Sequence, residues 1–509
     1  MKAATRKRAA SPREWLASAL LLTTLSVAAV WWCFSQGYIL YFPDAGSHLN
    51  VARRIVDSRT PGYDQLGTVW LPLPHALMLP FVWNDTLWRS GLAGSIPGSM
   101  CFIAAGLFLF GAVRRLFDSR AAAVTALALF ALNPNLLYLQ STPMTEPVFF
   151  AALCGLLYAT VWFAQSQSIA AILLAGFCSD AASLTRYEGW FLIPFVTLYV
   201  LFVAKRHPFL YAVLFGAIAS LAPLYWFAHN WYCCADPLAF YRGPYSPKAI
   251  QGGKPYPGNR DLAVAWLYFR TAARLCAGWP LVVAGVAGAV VAVVRRAWWP
   301  VLFLILPPVF YVLSMYSSGG TPIFVPQLWP NHYYNTRYGL AVLPLLALGG
   351  GALCVLAPRK WRGLLAIVAI VTAISPWLIS PRPDIWICWK ESQVNSVPRR
   401  ELVRQAVEFL KPRYRLGTGI IASCCGDLTE IFREAGIPLR ETLHEGNNPD
   451  WLIAMTRPDL FLHEDWAVAY SADPVSTAIW KAMRYGRRYR LVKLIEVKGA
   501  QAVEIYRLD

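Results

Sequence analysis

Asp44 and His48 stand four residues apart in YFPDAGSHLNVARR, just past the first long apolar run. On a helix that spacing puts both on one face, a carboxylate that can take a proton beside an imidazole that can bind or relay one. Three more polar groups interrupt apolar sequence: Glu146 in TPMTEP, Arg186 and Glu188 in LTRYEGW, and His332 and Arg337 in WPNHYYNTRYGL. An arginine fork matches a phosphate, and a carboxylate can deprotonate a hydroxyl as it attacks. Together these residue types suit displacement of a phosphate leaving group by an alcohol. Each also has a local reading. Asp44 after Pro43 reads as an N-cap, Glu146 as a first-turn acid favoured by the helix dipole, and Arg186 with Glu188 as a salt bridge.

The elements that must hold these groups are membrane helices. Of 509 residues 57% are hydrophobic and only 15% charged, where a soluble domain has about a quarter charged. Apolar windows long enough for about 30 Å of hydrocarbon recur over the first 380 residues. We read eleven spans, near 15–36, 91–113, 119–137, 147–164, 169–185, 190–204, 208–228, 279–294, 298–315, 338–356 and 363–380. The net charge of +18 comes in small clusters between apolar runs, which argues against a nucleic-acid stripe. Arg114–Arg115, Lys205–Arg206, Arg295–Arg296 and Arg359–Lys360 fall on the side of the basic N-terminus. The positive-inside rule then predicts a cytoplasmic N-terminus on an uncleaved anchor, with the last 130 residues on the outer face.

The run 66–83 is nearly span-length, but Pro72, Pro74 and Pro80 would each cost a helix hydrogen bond, so we read it as re-entrant or interfacial. The long loops 37–90, 133–146, 229–278 and 316–337 lie outside, and loops of that length usually serve function. From Asp44 the apolar residues Ala45, Leu49, Ala52 and Val56 mark an amphipathic helix at the membrane surface, with Arg53, Arg54 and Asp57 turned to water. Arg186 and Arg337 on the outer side are expensive unless they meet an anion.

The tail changes character. ELVRQAVEFLKP and DLTEIFREAG read as helices, GTGIIASCC and PDLFLHE as strands, and YRLVKLIEVKGAQAVEIYRL as a hairpin. Residues 1–380 therefore form an all-α polytopic domain, and 381–509 a small α/β extracytoplasmic domain. Cys233–Cys234 and Cys424–Cys425, with Cys388, could pair in an oxidising compartment, with no connectivity given.

In order and spacing, these motifs over residues 15 to 380 resemble the GT-C superfamily of polyprenyl-phosphate-dependent glycosyltransferases, near the protein O-mannosyltransferase and lipid A aminoarabinose transferase branch (glycosyltransferase family 39-like). The resemblance rests on YFPDAGSHLNVARR, PGYDQLGTVWLPLPH, TPMTEP, LTRYEGW and NTRYGL. It implies a GT-C fold and transfer of a sugar from a polyprenyl-phosphate donor to an acceptor hydroxyl on a glycan, lipid or protein, at the outer face of the cell inner membrane. Asp44 matches the first-loop acid and candidate base, Glu146 the second-loop acid, and Arg337 a ligand of the donor phosphate. Arg186 and Glu188 match a recurrent motif, and His48 and His332 are expected to help bind substrate. Many relatives carry two adjacent acids where this chain has Asp44–Ala45, which weakens a metal site at Asp44, His48 and Glu146. No cofactor is expected, with a divalent metal as the lesser alternative. A transporter or flippase of lipid-linked sugars would instead show two similar halves with charged midplane residues; no internal repeat is visible here.

Overall fold

A computed structural model describes residues 10–317, 320–423 and 428–509. The chain divides into two compact units. One comprises the residues up to Gln36, Thr68–Pro74 and Ser95–Glu391, and the other Gly37–Gly67, His75–Gly94 and Ser392–Asp509. Cys424 and Cys425 lie outside the described residues.

The first unit is helical, and all eleven expected segments fall on helices. Among the described residues seven could cross a membrane alone by length and composition: Pro12–Ser35, Leu92–Phe117, Glu146–Ser166, Pro208–Cys234, Trp298–Tyr316, Thr336–Leu353 and Arg359–Ile379. Two bent pairs raise the number to nine. Ile169–Ser183 and Glu188–Val203 are shorter apolar helices, which is why the structure gives seven to nine candidate spans and not eleven. The bends have local causes. Arg120–Ala131 and Pro134–Gln140 meet at 65°, where Asn133 caps the second helix and Pro134 cannot continue the first. Leu262–Ala277 and Trp279–Val294 meet at 107° across Gly278, whose φ of 78° suits glycine.

Glycines also let helices touch. A Cβ on Gly288 would lie 1.8 Å from the Gly349 carbonyl oxygen, so Trp279–Val294 and Leu343–Leu353 pack backbone to backbone. This is the small-residue contact that apolar solvent favours. Gly288→Leu should force these helices apart and lower the thermal midpoint in detergent by several degrees, whereas leucine at the exposed Gly363, with nothing within 4 Å of its Cβ position, should not.

The second unit joins residues 37–67 and 75–94 to the C-terminal tail. Helix Pro43–Arg54 buries Ala45, Leu49 and Ala52, as its spacing predicts. These residues cover protein, however. Leu49 and Ala52 share a core with Trp88, Leu402, Phe432 and Ile505, so the apolar face is not spent on a membrane surface. Arg53 and Asp57, expected in water, are buried too. Arg53 Nε donates to Asp57 at 2.9 Å, its Nη2 to Asp85 at 2.6 Å, and its guanidinium sits 4.7 Å from the Trp88 ring centroid. Asp57 also accepts from Arg440 at 3.1 Å. A buried charge needs such partners, and apart from the Arg53–Asp57 pair itself they come from sequence far away.

Five strands, β1 (Ile420–Ala422), β2 (Thr442–Leu443), β3 (Trp466–Tyr470), β4 (Tyr489–Ile495) and β5 (Val503–Leu508), form one sheet of order β2-β1-β3-β5-β4. β1 runs parallel to β2 and β3, and β5 antiparallel to β3 and β4. The expected hairpin is β4–β5, turning through Gly499 at φ 89°. PDLFLHE is not a strand. Pro458 opens a short helix, Pro458–Phe461, and the neighbouring central strand is β3, WAVAY, whose near-continuous apolar run is the mark of burial on both faces.

His444 is buried in this unit, with Nδ1 accepting a hydrogen bond from the Gly446 amide at 3.0 Å. Burial, with the charges of Arg54 and Arg59, pulls it from 6.5 down to about 2. The unfolded chain thus binds a proton that the folded chain refuses. Stability is fully present above pH 6.5 and falls as pH drops below it, by about 2 kcal/mol at pH 5. Thermal unfolding should show a larger acid-induced loss in the wild type than in His444→Gln; equal losses would remove His444 as the cause.

Candidate active site

Apolar helices in the first unit end in a buried polar network. Glu146 opens Glu146–Ser166 and Glu188 opens Glu188–Val203, each in a first turn where the helix dipole favours a carboxylate. Arg186 lies in the turn before Glu188. That turn closes tightly because residue 189 is glycine: a Cβ there would lie 2.4 Å from the Ala182 carbonyl carbon. Arg337 stands in the 3-10 turn Thr336–Val342, which follows Asn335 at φ 54°.

The two arginines converge on one carboxylate oxygen. Arg186 Nη1 donates to Glu146 Oε1 at 3.2 Å, and Arg337 Nε to the same atom at 3.1 Å. Arg186 Nε also donates to Glu188 at 2.7 Å, Nη1 to Thr145 Oγ1 at 2.7 Å and Nη2 to the Tyr311 hydroxyl at 2.8 Å. Tyr311 in turn donates to Glu188. Both guanidinium groups lie near Tyr338, 5.1 Å from its ring centroid for Arg186 and 5.3 Å for Arg337, and Tyr338 stacks on Tyr311. The salt bridge between Arg186 and Glu188 therefore exists, as one edge of a larger array. Among the described residues Glu146 Oε2 is buried with no hydrogen-bond partner.

Glu391 closes the array from the other side. It takes Arg337 Nη1 at 3.3 Å, the Asn335 and Thr336 amides at 2.8 Å each, and the Thr336 hydroxyl. Burial pushes its carboxyl above the ordinary value, while Arg337 and these donors pull the other way. Glu146, Glu188 and Glu391 thus hold two arginines among apolar helices, with one more carboxylate than guanidinium group. Such an array is costly to bury unless its members satisfy one another.

Of the other expected site residues, His332 is exposed and makes no hydrogen bond or ion pair among the described residues, so it does not join the array. Asp44 and His48 belong to the second unit. Asp44 is half-buried in the first turn of Pro43–Arg54, whose N-cap is Phe42; Asp44 is therefore not the cap that its place after Pro43 suggested. His48 is buried, its Nδ1 3.0 Å from His75 Nε2. The same helix is tied to the tail through Asn50, which donates to Thr429 at 2.7 Å. No group of three or more His, Cys, Asp and Glu side chains able to hold a metal ion occurs among the described residues. No disulfide joins Cys233, Cys234 or Cys388 among the described residues.

Sequence reasoning missed Tyr311, Tyr338, Thr336 and Glu391. Tyr338 and Thr336 lie inside the quoted NTRYGL and could have been taken with Arg337. Glu391 carries no such signal: it is one acid in an ordinary polar helix, and only its buried partners mark it out.

The fold is the ArnT-like GT-C fold, mostly helical with a small C-terminal sheet. Residues 88–226 match the family model described as dolichyl-phosphate-mannose-protein mannosyltransferase, a stretch that includes Glu146, Arg186 and Glu188. Among solved structures, the chain is similar to ArnT from Cupriavidus metallidurans in the apo state, with a TM-score of 0.54 at 13% identity over 96% of this chain and 97% of that one. No curated protein matches the chain by sequence. The resemblance read from the motifs is thereby borne out, and the chain is a multi-pass membrane protein with this fold.

Proposed function

We propose that this protein transfers a sugar from a polyprenyl-phosphate donor to an acceptor hydroxyl at the outer face of the cytoplasmic membrane. The observation that carries the reading is the meeting of Arg186 and Arg337 on Glu146 Oε1. Two guanidinium groups brought to one oxygen form a cradle for an oxyanion, the group a polyprenyl phosphate becomes as the sugar leaves. Tyr311 and Tyr338 line the cradle with surfaces suited to a sugar ring or an isoprenoid tail. Glu146 Oε2, buried and without a partner, is the open acceptor of the array. Asp44 is the candidate base for the acceptor hydroxyl, with Glu146 orienting the arginines. Glu188 fixes Arg186 and His48 supports the Asp44 helix; His332, exposed on its loop, would meet substrate from the solvent side. The family model's own description, which names a lipid-phosphate-linked sugar, supports this donor class.

The reaction needs no nucleotide and, in this reading, no metal. Radiolabelled sugar moving from polyprenyl phosphate to an acceptor in reconstituted vesicles tests the proposal. Passage of the intact lipid-linked sugar across the vesicle membrane, without transfer, would instead establish a flippase. The site faces the outer side only if the N-terminus is cytoplasmic and the tail extracytoplasmic, as the basic turns argue. A reporter fused after Asp509 should therefore be active outside the cytoplasm; activity only within it would invert the proposed orientation.

A further inference from the structure

The segment from Trp480 to Ile495, WKAMRYGRRYRLVKLI, carries six basic residues and no acid. It comprises the end of helix Pro474–Arg484, a turn, and edge strand β4. Trp480, Lys481 and Arg484 recur at helical spacing on the solvent face of that helix, while Val475, Ala478 and Ile479 are buried on the other. The turn adds Tyr485 and Arg488, also exposed. Lys481, Arg484 and Arg488 make no ion pair among the described residues, and nearby acids are engaged elsewhere: Asp459 with Arg457 at 2.7 Å, and Asp509 with Arg490 at 3.7 Å.

Charge on an edge strand has an ordinary use, which is to block pairing with another chain. That use explains the β4 cations but not the aromatic residues. Trp480 is 59% exposed and Tyr485 70% exposed, large rings in water beside uncompensated cations. Rings with one polar edge, interleaved with lysine and arginine, match the headgroup layer of a bilayer, where the ring settles among glycerol groups and the cations meet phosphate. Because the chain is a multi-pass membrane protein, a lipid surface is tethered to this domain at high effective concentration, as no soluble polyanion would be.

We propose that the face formed by Trp480, Lys481, Arg484, Tyr485 and Arg488 docks on anionic lipid headgroups. The contact is independent of the sugar-transfer reading and gives the C-terminal domain a second hold on the membrane besides its covalent connection.

The test uses the full-length protein in nanodiscs of phosphatidylcholine alone or with phosphatidylglycerol, with Trp480 replaced by the photo-crosslinking residue p-benzoylphenylalanine. Illumination should give lipid adducts several-fold more abundant in the anionic discs, and salt should suppress them as the Debye length shrinks. The combined change Lys481→Glu, Arg484→Glu and Arg488→Glu should abolish the preference. Absence of lipid adducts, equal yields in both discs, or crosslinks to protein alone would overturn the proposal. The comparison of the two discs uses one protein, so its outcome does not depend on how the charge-reversed variant folds.

Discussion

Asp44→Asn should express and fold as the wild type does and lose at least about 100-fold in transfer rate, since general base catalysis typically contributes about 10²–10⁴-fold. The amide keeps the size and accepts a hydrogen bond but takes no proton. Asp44 is not the N-cap, because Phe42 occupies that position without a side-chain bond. As a first-turn charge it is favoured by the helix dipole by about 0.3–1 kcal/mol, too little to unfold the unit. Turnover and the thermal midpoint, measured on the same preparation, separate the two roles. A variant keeping more than about a tenth of wild-type turnover lies outside the range for a lost base and would return Asp44 to a supporting role. Glu146→Gln should also impair transfer, by withdrawing the charge on which both arginines converge.

Arg337→Ala should be the most damaging single change in the first unit. The sequence marked this arginine out only as one that must meet an anion. The structure places it, nearly inaccessible, between Glu146 and Glu391. Deleting it leaves two buried carboxylates facing a gap, and breaking a buried ion pair from one side costs about 3–5 kcal/mol. Arg337→Lys should recover only part of this, because one ammonium cannot copy a fork that donates from Nε to one acid and from Nη1 to the other. The decisive comparison adds Glu391→Gln to Arg337→Ala. Removing the orphaned charge should restore part of the thermal midpoint, while transfer stays lost if Arg337 also holds the donor phosphate. Wild-type stability and kinetics in Arg337→Ala would dismiss both roles. At Arg186 the same logic applies with one difference: without it Glu146 keeps Arg337 and Glu188 keeps the Tyr311 hydroxyl, so Arg186→Ala should cost less stability.

What could be read from the sequence follows the range of the forces involved. Membrane helices announce themselves through local composition, and each expected segment is helical. Their number was harder to read, because Ile169–Ser183 and Glu188–Val203 are apolar but short, and a bend at Asn133–Pro134 or Gly278 depends on two or three residues that hydropathy averages away. The motif acids and arginines were legible because a charge in apolar sequence is conspicuous. Glu391 was not, since a glutamate in a polar helix looks like any other until Asn335, Thr336 and Arg337 are seen around it. Arg53 and Asp57 failed for the same reason: they read as the wet face of a helix because Trp88, Asp85 and Arg440, which bury and pair them, are 28 or more residues from at least one of the two. Strand β3 was misplaced by a few residues because a short apolar run next to a proline allows either a strand or a helix.

The second unit is drawn from both ends of the chain. Helix Pro43–Arg54 shares its core with residues beyond 400, and Asn50 bonds Thr429. During synthesis the segment bearing Asp44 emerges well before the surfaces that bury Leu49 and pair Asp57. A nascent or truncated chain can therefore insert its apolar helices while the Asp44 helix still lacks its packing. Competence is in this sense a property of the finished polypeptide: a product stopped short of Thr429 would be a membrane protein with an unassembled first loop. A cell that needs to keep incomplete copies from acting would have that safeguard built into the order of the residues.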